Sequence, residues 1–197
     1  MLVREVMTSP ALTVRMETPL KEALTLLDEH KVTMLPVVTQ AGVIVGILSE
    51  ADLVREALPP DLRAHLIPSE DLGPERAHEV SELMSAHPVT VHEDTDLSAA
   101  AVLMTDTTVK SLPVVDHDNR VVGVVSRRDI VHVLARPDEV IEAEMDELFR
   151  QLGTDWLVDV SDGVATISGP VAEADREMAH AAALSVPGIR NVRVQSG

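Results

Sequence analysis

The sequence predicts a mixed α+β / α/β fold in three parts: two related β-α-β-β-α units and a small α-β-β-α-β domain behind them. Three observations carry this. The stretch GILSEAD, residues 46–52, returns as GVVSRRD, residues 123–129, with Gly first, Ser fourth and Asp seventh in both. Displacing the chain by 77 positions aligns residues 3–54 with 80–131 without a gap, and 19 of the 52 pairs are identical. The repeat stops after Arg136-Pro137, and a different pattern fills the rest. Two copies are too few for a solenoid, so a pseudo-symmetric pair is the expected architecture.

Each copy reads the same way. A short extended piece, LTV (12–14) or VTV (89–91), comes first. Thr18-Pro19 or Thr95-Asp96 then starts a helix, with Thr as the N-cap and Pro or an acid at the first helical position. Leu20, Ala23, Leu24 and Leu27 repeat every three to four residues, as do Leu97, Ala100, Ala101 and Met104, so each helix has one apolar face. The β-branched run LPVV follows; its proline cannot donate to a ladder and belongs at an edge or a strand start. After a polar turn, TQAG or DHDN, a second strand runs VIVGIL or RVVGVV, and a last helix starts at Ser49 or Ser126. The expected boundaries are 1–58 and 79–136 for the two units. Residues 59–78, rich in proline and charge, read as a connector with one short helical turn.

Residues 138–197 read as a separate domain. DEVIEAEMDELFRQL is an amphipathic helix with Ile141, Met145, Leu148 and Leu152 on one face. WLVDV, SDG and VATIS form a hairpin with a glycine in its turn. An Ala-rich helix over 171–185, a PG break and the strand IRNVRV complete it.

Composition narrows the function classes. Apolar residues make up 45% of the chain, and Phe149 and Trp156 are its only aromatics, too few for a surface that stacks bases. The net charge is −17, of which residues 1–137 carry −9 and residues 138–197 carry −8. Neither part resembles a nucleic-acid arm or an anionic-membrane anchor. There are no cysteines, which removes disulfides and thiolate chemistry. The first residues, MLVREVMTSP, lack the apolar core of a signal peptide, and no run is long enough to cross a bilayer, so a cytoplasmic location is expected. The eight histidines form no ligand pair at metal spacing. Neither GxxxxGK[ST] nor GxGxxG occurs, and no nucleophile–base set is visible, so no enzyme is expected.

The duplicated unit resembles the CBS (cystathionine-β-synthase-type) domain. The blocks LPVV…GILSEADL and LPVV…GVVSRRDI carry the likeness, together with VMTSPALTV and LMSAHPVTV. The resemblance implies a tandem pair about a pseudo-twofold axis, a Bateman module, with two clefts that take AMP, ADP, ATP or S-adenosylmethionine. No cofactor is obligatory in such a module, and homodimers are common. Residues 138–195 resemble a BON domain through VDVSDGVATISGPV and VPGIRNVRV. That family implies contact with phospholipid or envelope, so the domain would meet a membrane or an unidentified protein partner.

The Ser-x-x-Asp junction has two chemical readings. Ser caps the helix and Asp lies one turn on, which is close to a capping box that satisfies helix N–H groups internally. The same corner suits a nucleotide: helix N–H groups face phosphate, and the carboxylate accepts from the two ribose hydroxyls. Candidate ligand-binding residues are Ser49 and Asp52 in the first copy, and Ser126, Arg127 and Asp129 in the second. Lys110 starts the second copy's first long strand, where the first copy has Thr33. Leu35-Pro36 with Thr13-Val14, and Leu112-Pro113 with Thr90-Val91, would supply apolar walls and backbone hydrogen bonds to adenine. The copies differ in charge: Glu50 follows Ser49, whereas Arg127 and Arg128 follow Ser126. Phosphate therefore prefers the second corner. The expected function is a regulatory adenosyl sensor that signals through the last domain; a ligand-free dimerisation scaffold and an envelope-associated lipid binder remain the alternatives.

Overall fold

The computed structural model describes residues 1–57, 77–170 and 172–195. Most of the expected connector, with its helical turn, lies outside the described residues. The first repeat contains α1 (Leu20–His30), β1 (Met34–Val38), β2 (Ile44–Ser49) and α2 (Glu50–Ala57). A short helix α3 (Val80–Leu83) and β3 (Ser85–Ala86) lead into the second. It contains β4 (Val91–His92), α4 (Leu97–Asp106), β5 (Ser111–Val115), β6 (Val121–Ser126) and α5 (Arg127–Leu134). The third part is α6 (Asp138–Gln151), β7 (Leu157–Ser161), β8 (Val164–Ser168), α7 (Glu173–Ser185) and β9 (Asn191–Gln195).

The two hairpins share one register. Met34 pairs with Ser49 and Val38 with Ile44 in the first; Ser111 pairs with Ser126 and Val115 with Val121 in the second. Pro36 and Pro113 sit at mid-strand; β1 is the outer strand of its sheet, as the proline allows, whereas β5 lies between β4 and β6. The extended piece before each first helix is slight: Val14 makes one parallel bridge to Val37, and β4 pairs two residues with Val114 and Val115. Because Val14 and β4 reach only the C-terminal half of their partners, they demand no N–H from either proline.

The segments that precede the repeats are exchanged. Thr8 bridges Val124 of β6, and β3 pairs with Gly46 and Ile47 of β2. Val3 is buried with Val91, Leu112 and Val125, while Val80 is buried with Leu35, Leu48 and Leu53. Each core is thus completed by the other repeat's lead-in. The crossing is close at two glycines. A Cβ on Gly46 would lie 2.9 Å from Met84 Sδ and 2.9 Å from the Ser85 carbonyl; one on Gly123 would lie 2.7 Å from Met7 Sδ and 3.0 Å from the Thr8 carbonyl. At the far end the hairpin tips meet, with Ile44 N–H donating to the Asn119 carbonyl and Val121 N–H to the Gly42 carbonyl, both at 3.0 Å.

The first helices begin one residue later than the capping pattern predicts. Pro19 and Asp96 are the N-caps, not Thr18 and Thr95. The threonine hydroxyls accept from Arg15 N–H and His92 N–H instead, which closes the turn ahead of each helix. Asp96 takes over the cap by accepting from Ser98 N–H. Two carboxyls at such polar turns lie below the usual carboxylate range: Asp96, held down mainly by the Ser98 hydroxyl and then its N–H, and Asp116, held down mainly by Arg120 N–H.

In the third part, β7 and β8 form the expected hairpin and β9 adds in parallel to β8. Ile141, Met145 and Phe149 of α6 are buried against Ala165, Ile167, Ala179 and Ala183. Leu148 is only half-buried and Leu152 is 46% exposed as the C-cap of α6. Phe149 fills the place expected of Leu152, because the helix ends before its last leucine can turn inward. Trp156 packs edge-on against Phe149 at 5.2 Å. Among the described residues, no helix is long and apolar enough to cross a membrane.

Candidate functional site

The two Ser/Asp corners are built alike. Ser126 caps α5: its N–H and Oγ–H both donate to Asp129 Oδ2 at 2.7 Å, and Asp129 N–H donates back to Ser126 Oγ at 3.3 Å. In the first copy, Ser49 N–H and Oγ–H donate to Asp52 Oδ2 at 2.9 and 2.6 Å, and Asp52 N–H returns to Ser49 Oγ at 3.4 Å. The capping reading therefore holds at both ends. It consumes only one carboxylate oxygen: among the described residues, Oδ1 of each aspartate makes no hydrogen bond.

A large cavity lies beside the second corner. A cavity of about 820 Å³ opens against Ser126, Arg127, Arg128 and Asp129. Its opposite wall comes from the other repeat: His30 to Met34, where α1 ends and β1 begins, and Thr8 with Pro10, Ala11 and Leu12 from the exchanged lead-in. Lys110, Ser111 and Val124 also line it. Ser49 and Asp52 do not line this cavity.

Local structure fixes each charged group. Arg127 N–H donates to the Lys110 carbonyl at 2.9 Å, which sets the start of α5 beside the start of β5. One Arg127 guanidinium nitrogen donates to the Met104 carbonyl at 2.7 Å and is steadied by the end of α4. Lys110 Nζ lies 3.9 Å from Glu50 across the repeat boundary; both side chains are exposed, so this pair holds little energy. Lys31, in a left-handed backbone conformation just past α1, pairs with Asp28 at 2.8 Å. That pairing, chiefly through its hydrogen bond, holds the Asp28 carboxyl below the usual range. Arg128 makes no ion pair among the described residues. Ser111 is buried, with its Oγ 3.3 Å from Thr33 Oγ1. Four cations thus surround a space also walled by Leu12, Val32, Met34 and Val124, in a chain of net charge −17.

Of the sequence candidates, the structure brings Lys110, Ser126, Arg127 and Asp129 together at this cavity. Val14, Leu35, Val91 and Leu112 are instead buried in the two repeat cores, where strand alternation turns them from the cleft. Pro36 and Pro113 stand in β1 and β5, Thr13 and Thr90 just precede Val14 and β4, and none of the four lines the cavity. The apolar wall comes from Pro10–Leu12 and Val32–Met34, one segment earlier in each case. Sequence reasoning missed these residues; their only signal was the Thr33-Met34 and Lys110-Ser111 equivalence at the 77-residue offset.

Comparison with known proteins identifies the family and the fold. The CBS domain family matches residues 3–59 and 80–136, and the BON domain family matches residues 138–195. A CBS domain-containing protein of Dictyostelium discoideum is 35% identical over 136 residues, 68% of this chain and 92% of that protein. The crystal structure of CBSX2 in complex with AMP, an Arabidopsis thaliana protein, superposes with a TM-score of 0.55 at 33% identity, covering 66% of this chain and 93% of that one. The CBS domain pair of protein MJ0100, solved with 5′-methylthioadenosine and S-adenosyl-L-methionine, superposes at 0.55 with 27% identity, covering 68% and 94%. The exchanged lead-ins, the twin hairpins and these matches lead to one assignment: the chain belongs to the CBS domain family, as a tandem CBS pair followed by a BON domain.

Proposed function

We propose that this chain is a non-catalytic sensor of a phosphate-bearing adenine nucleoside, bound in the cavity beside Ser126–Asp129, whose occupancy is conveyed to the BON domain. The observation that carries this is the cavity itself: four cations, one carboxylate oxygen that makes no hydrogen bond among the described residues, and an apolar wall surround a space of about 820 Å³. Arg127, Arg128, Lys110 and Lys31 suit phosphate oxygens, because charge-assisted bonds are about twice as strong as neutral ones. Asp129 Oδ1 suits a ribose hydroxyl, and Leu12, Val32 and Met34 suit a base face. Solved CBS pairs with AMP or with S-adenosyl-L-methionine support the adenosyl part. The cations favour the phosphate-bearing ligand over a sulfonium, which they would repel. Ser49 and Asp52 then serve mainly as a cap, with Glu50 discouraging anions there.

Ligand binding can shift the module only by its differential affinity for two arrangements of the repeats. A homodimer fits the same reading: Val54 and Val131, equivalent across the repeat, are 58% and 63% exposed on α2 and α5. The test is titration calorimetry of the full chain with ATP, ADP, AMP and S-adenosylmethionine. The expected result is one site, tightest for the most phosphorylated ligand and weakened by salt. Absence of heat and of thermal stabilisation with all four would leave only a scaffold.

A further inference from the structure

The CBS pair and the BON domain are joined by three residues: α5 ends at Leu134, and α6 starts at Asp138 with Pro137 as its N-cap. Arg136 stands in this joint. One guanidinium nitrogen donates to the Pro187 carbonyl at 2.5 Å, and the other meets Glu144 Oε2 at 2.5 Å. Pro187 lies between α7 and β9, and Glu144 lies on α6. Two separate parts of the BON domain are thus held by one side chain, itself only 23% exposed. The neighbouring backbone is seated just as closely. Gly188 has φ +102°, and a Cβ there would lie 2.6 Å from Ile141 Cδ1 and 3.3 Å from the Val133 carbonyl oxygen. The loop before β9 therefore rests directly on the last turn of α5.

The opposite end of α5 is the cavity wall. Ser126, Arg127, Arg128 and Asp129 face the candidate site, and eight helical residues, about 12 Å, separate that end from the joint. A short helix of this kind moves as one body. Its C-terminal turn is tied to the joint by Ala135 N–H on the Val131 carbonyl and Arg136 N–H on the Val133 carbonyl.

We propose that Arg136 is a positioning residue that latches the BON domain onto α5, so that a ligand ordering the first turn of α5 also stabilises the BON domain. The coupling half rests on the ligand reading above; the latch itself does not. Arginine suits the role because its planar fork reaches two acceptors at once, which a lysine cannot reproduce.

The chain carries its own probe. Trp156 is its single tryptophan, and it packs inside the BON domain, so its emission reports that domain alone. The experiment compares the full-length wild type with Arg136→Ala and Arg136→Lys. Thermal melts are followed at Trp156 and by circular dichroism, with and without ATP at about 100-fold above its Kd. In the wild type the two melts coincide, and ATP raises both by roughly 5–10 °C. In Arg136→Ala, calorimetry shows ATP bound with unchanged affinity, the melts separate, and ATP no longer raises the Trp156 midpoint. Arg136→Lys, which keeps one contact, gives an intermediate shift. An equal ATP shift at Trp156 in the wild type and Arg136→Ala would overturn the coupling. If the wild type binds no ATP, the ligand reading and the coupling fall together. The latch is then judged on the ligand-free melts, and coincident melts in Arg136→Ala would overturn it.

Discussion

Alanine at the two crossing glycines should separate stability from binding. At Gly123 a Cβ would meet Met7 Sδ at 2.7 Å and the Thr8 carbonyl at 3.0 Å; at Gly46 it would meet Met84 Sδ and the Ser85 carbonyl, each at 2.9 Å. Ordinary contact begins near 3.4 Å, so each variant is overpacked by several tenths of an ångström. The thioethers can rotate aside. The carbonyls cannot move freely: Thr8 is fixed to Val124 by reciprocal bonds of 2.9 and 3.0 Å, and Ser85 stands in β3. Overpacking of this kind costs about 1–3 kcal/mol. For a chain of this size that lowers the melting midpoint by roughly 3–10 °C. Gly46→Ala and Gly123→Ala should therefore lose similar stability in urea unfolding. They should differ in binding, because Thr8 lines the cavity and Ser85 does not. Calorimetry should show weaker ATP binding in Gly123→Ala and unchanged affinity in Gly46→Ala. Stability within about 0.5 kcal/mol of the wild type in both variants would refute the exchanged crossing. Equal losses of affinity would refute the placement of the ligand.

Other outcomes follow from the same geometry. Arg127→Ala removes an exposed cation anchored to Met104, so ATP affinity should fall about 10–100-fold while the melting midpoint moves little. Asp52→Ala and Asp129→Ala each break a capping box and should each cost about 1 kcal/mol in urea unfolding, but only Asp129→Ala should also abolish ATP binding in calorimetry. Asp96 has a folded pKa below its unfolded one, so its contribution is full above the unfolded value and disappears as pH falls through the folded value. Melting midpoints measured from about pH 5 to about pH 2 should fall less steeply in Asp96→Asn than in the wild type.

Much of the architecture was legible because it is local. The 77-residue offset gave the twin hairpins, and Ser126 with Asp129 formed the capping box their spacing implies. The charge difference between Glu50-Ala51 and Arg127-Arg128 pointed to the corner beside which the cavity opens. What escaped was long-range. Nothing in the period of Met7-Thr8 or Ser85-Ala86 says which sheet edge they will meet, since two-residue strands carry no alternation. The cavity's far wall depends on that exchange, so Pro10–Leu12 could not be assigned to it. Leu35 and Leu112 misled because LPVV is a core strand in both copies, with its buried positions facing the helices. The capping threonines were displaced by one residue because their hydroxyls found a nearer N–H in the preceding turn.

Crystals of the full chain grown with ATP would show directly where the nucleotide sits. Phosphate density is expected against Arg127, Arg128 and Lys110, with a ribose hydroxyl on Asp129 Oδ1. Nucleotide density confined to the Ser49–Asp52 corner, with the cavity beside Ser126–Asp129 empty, would contradict it.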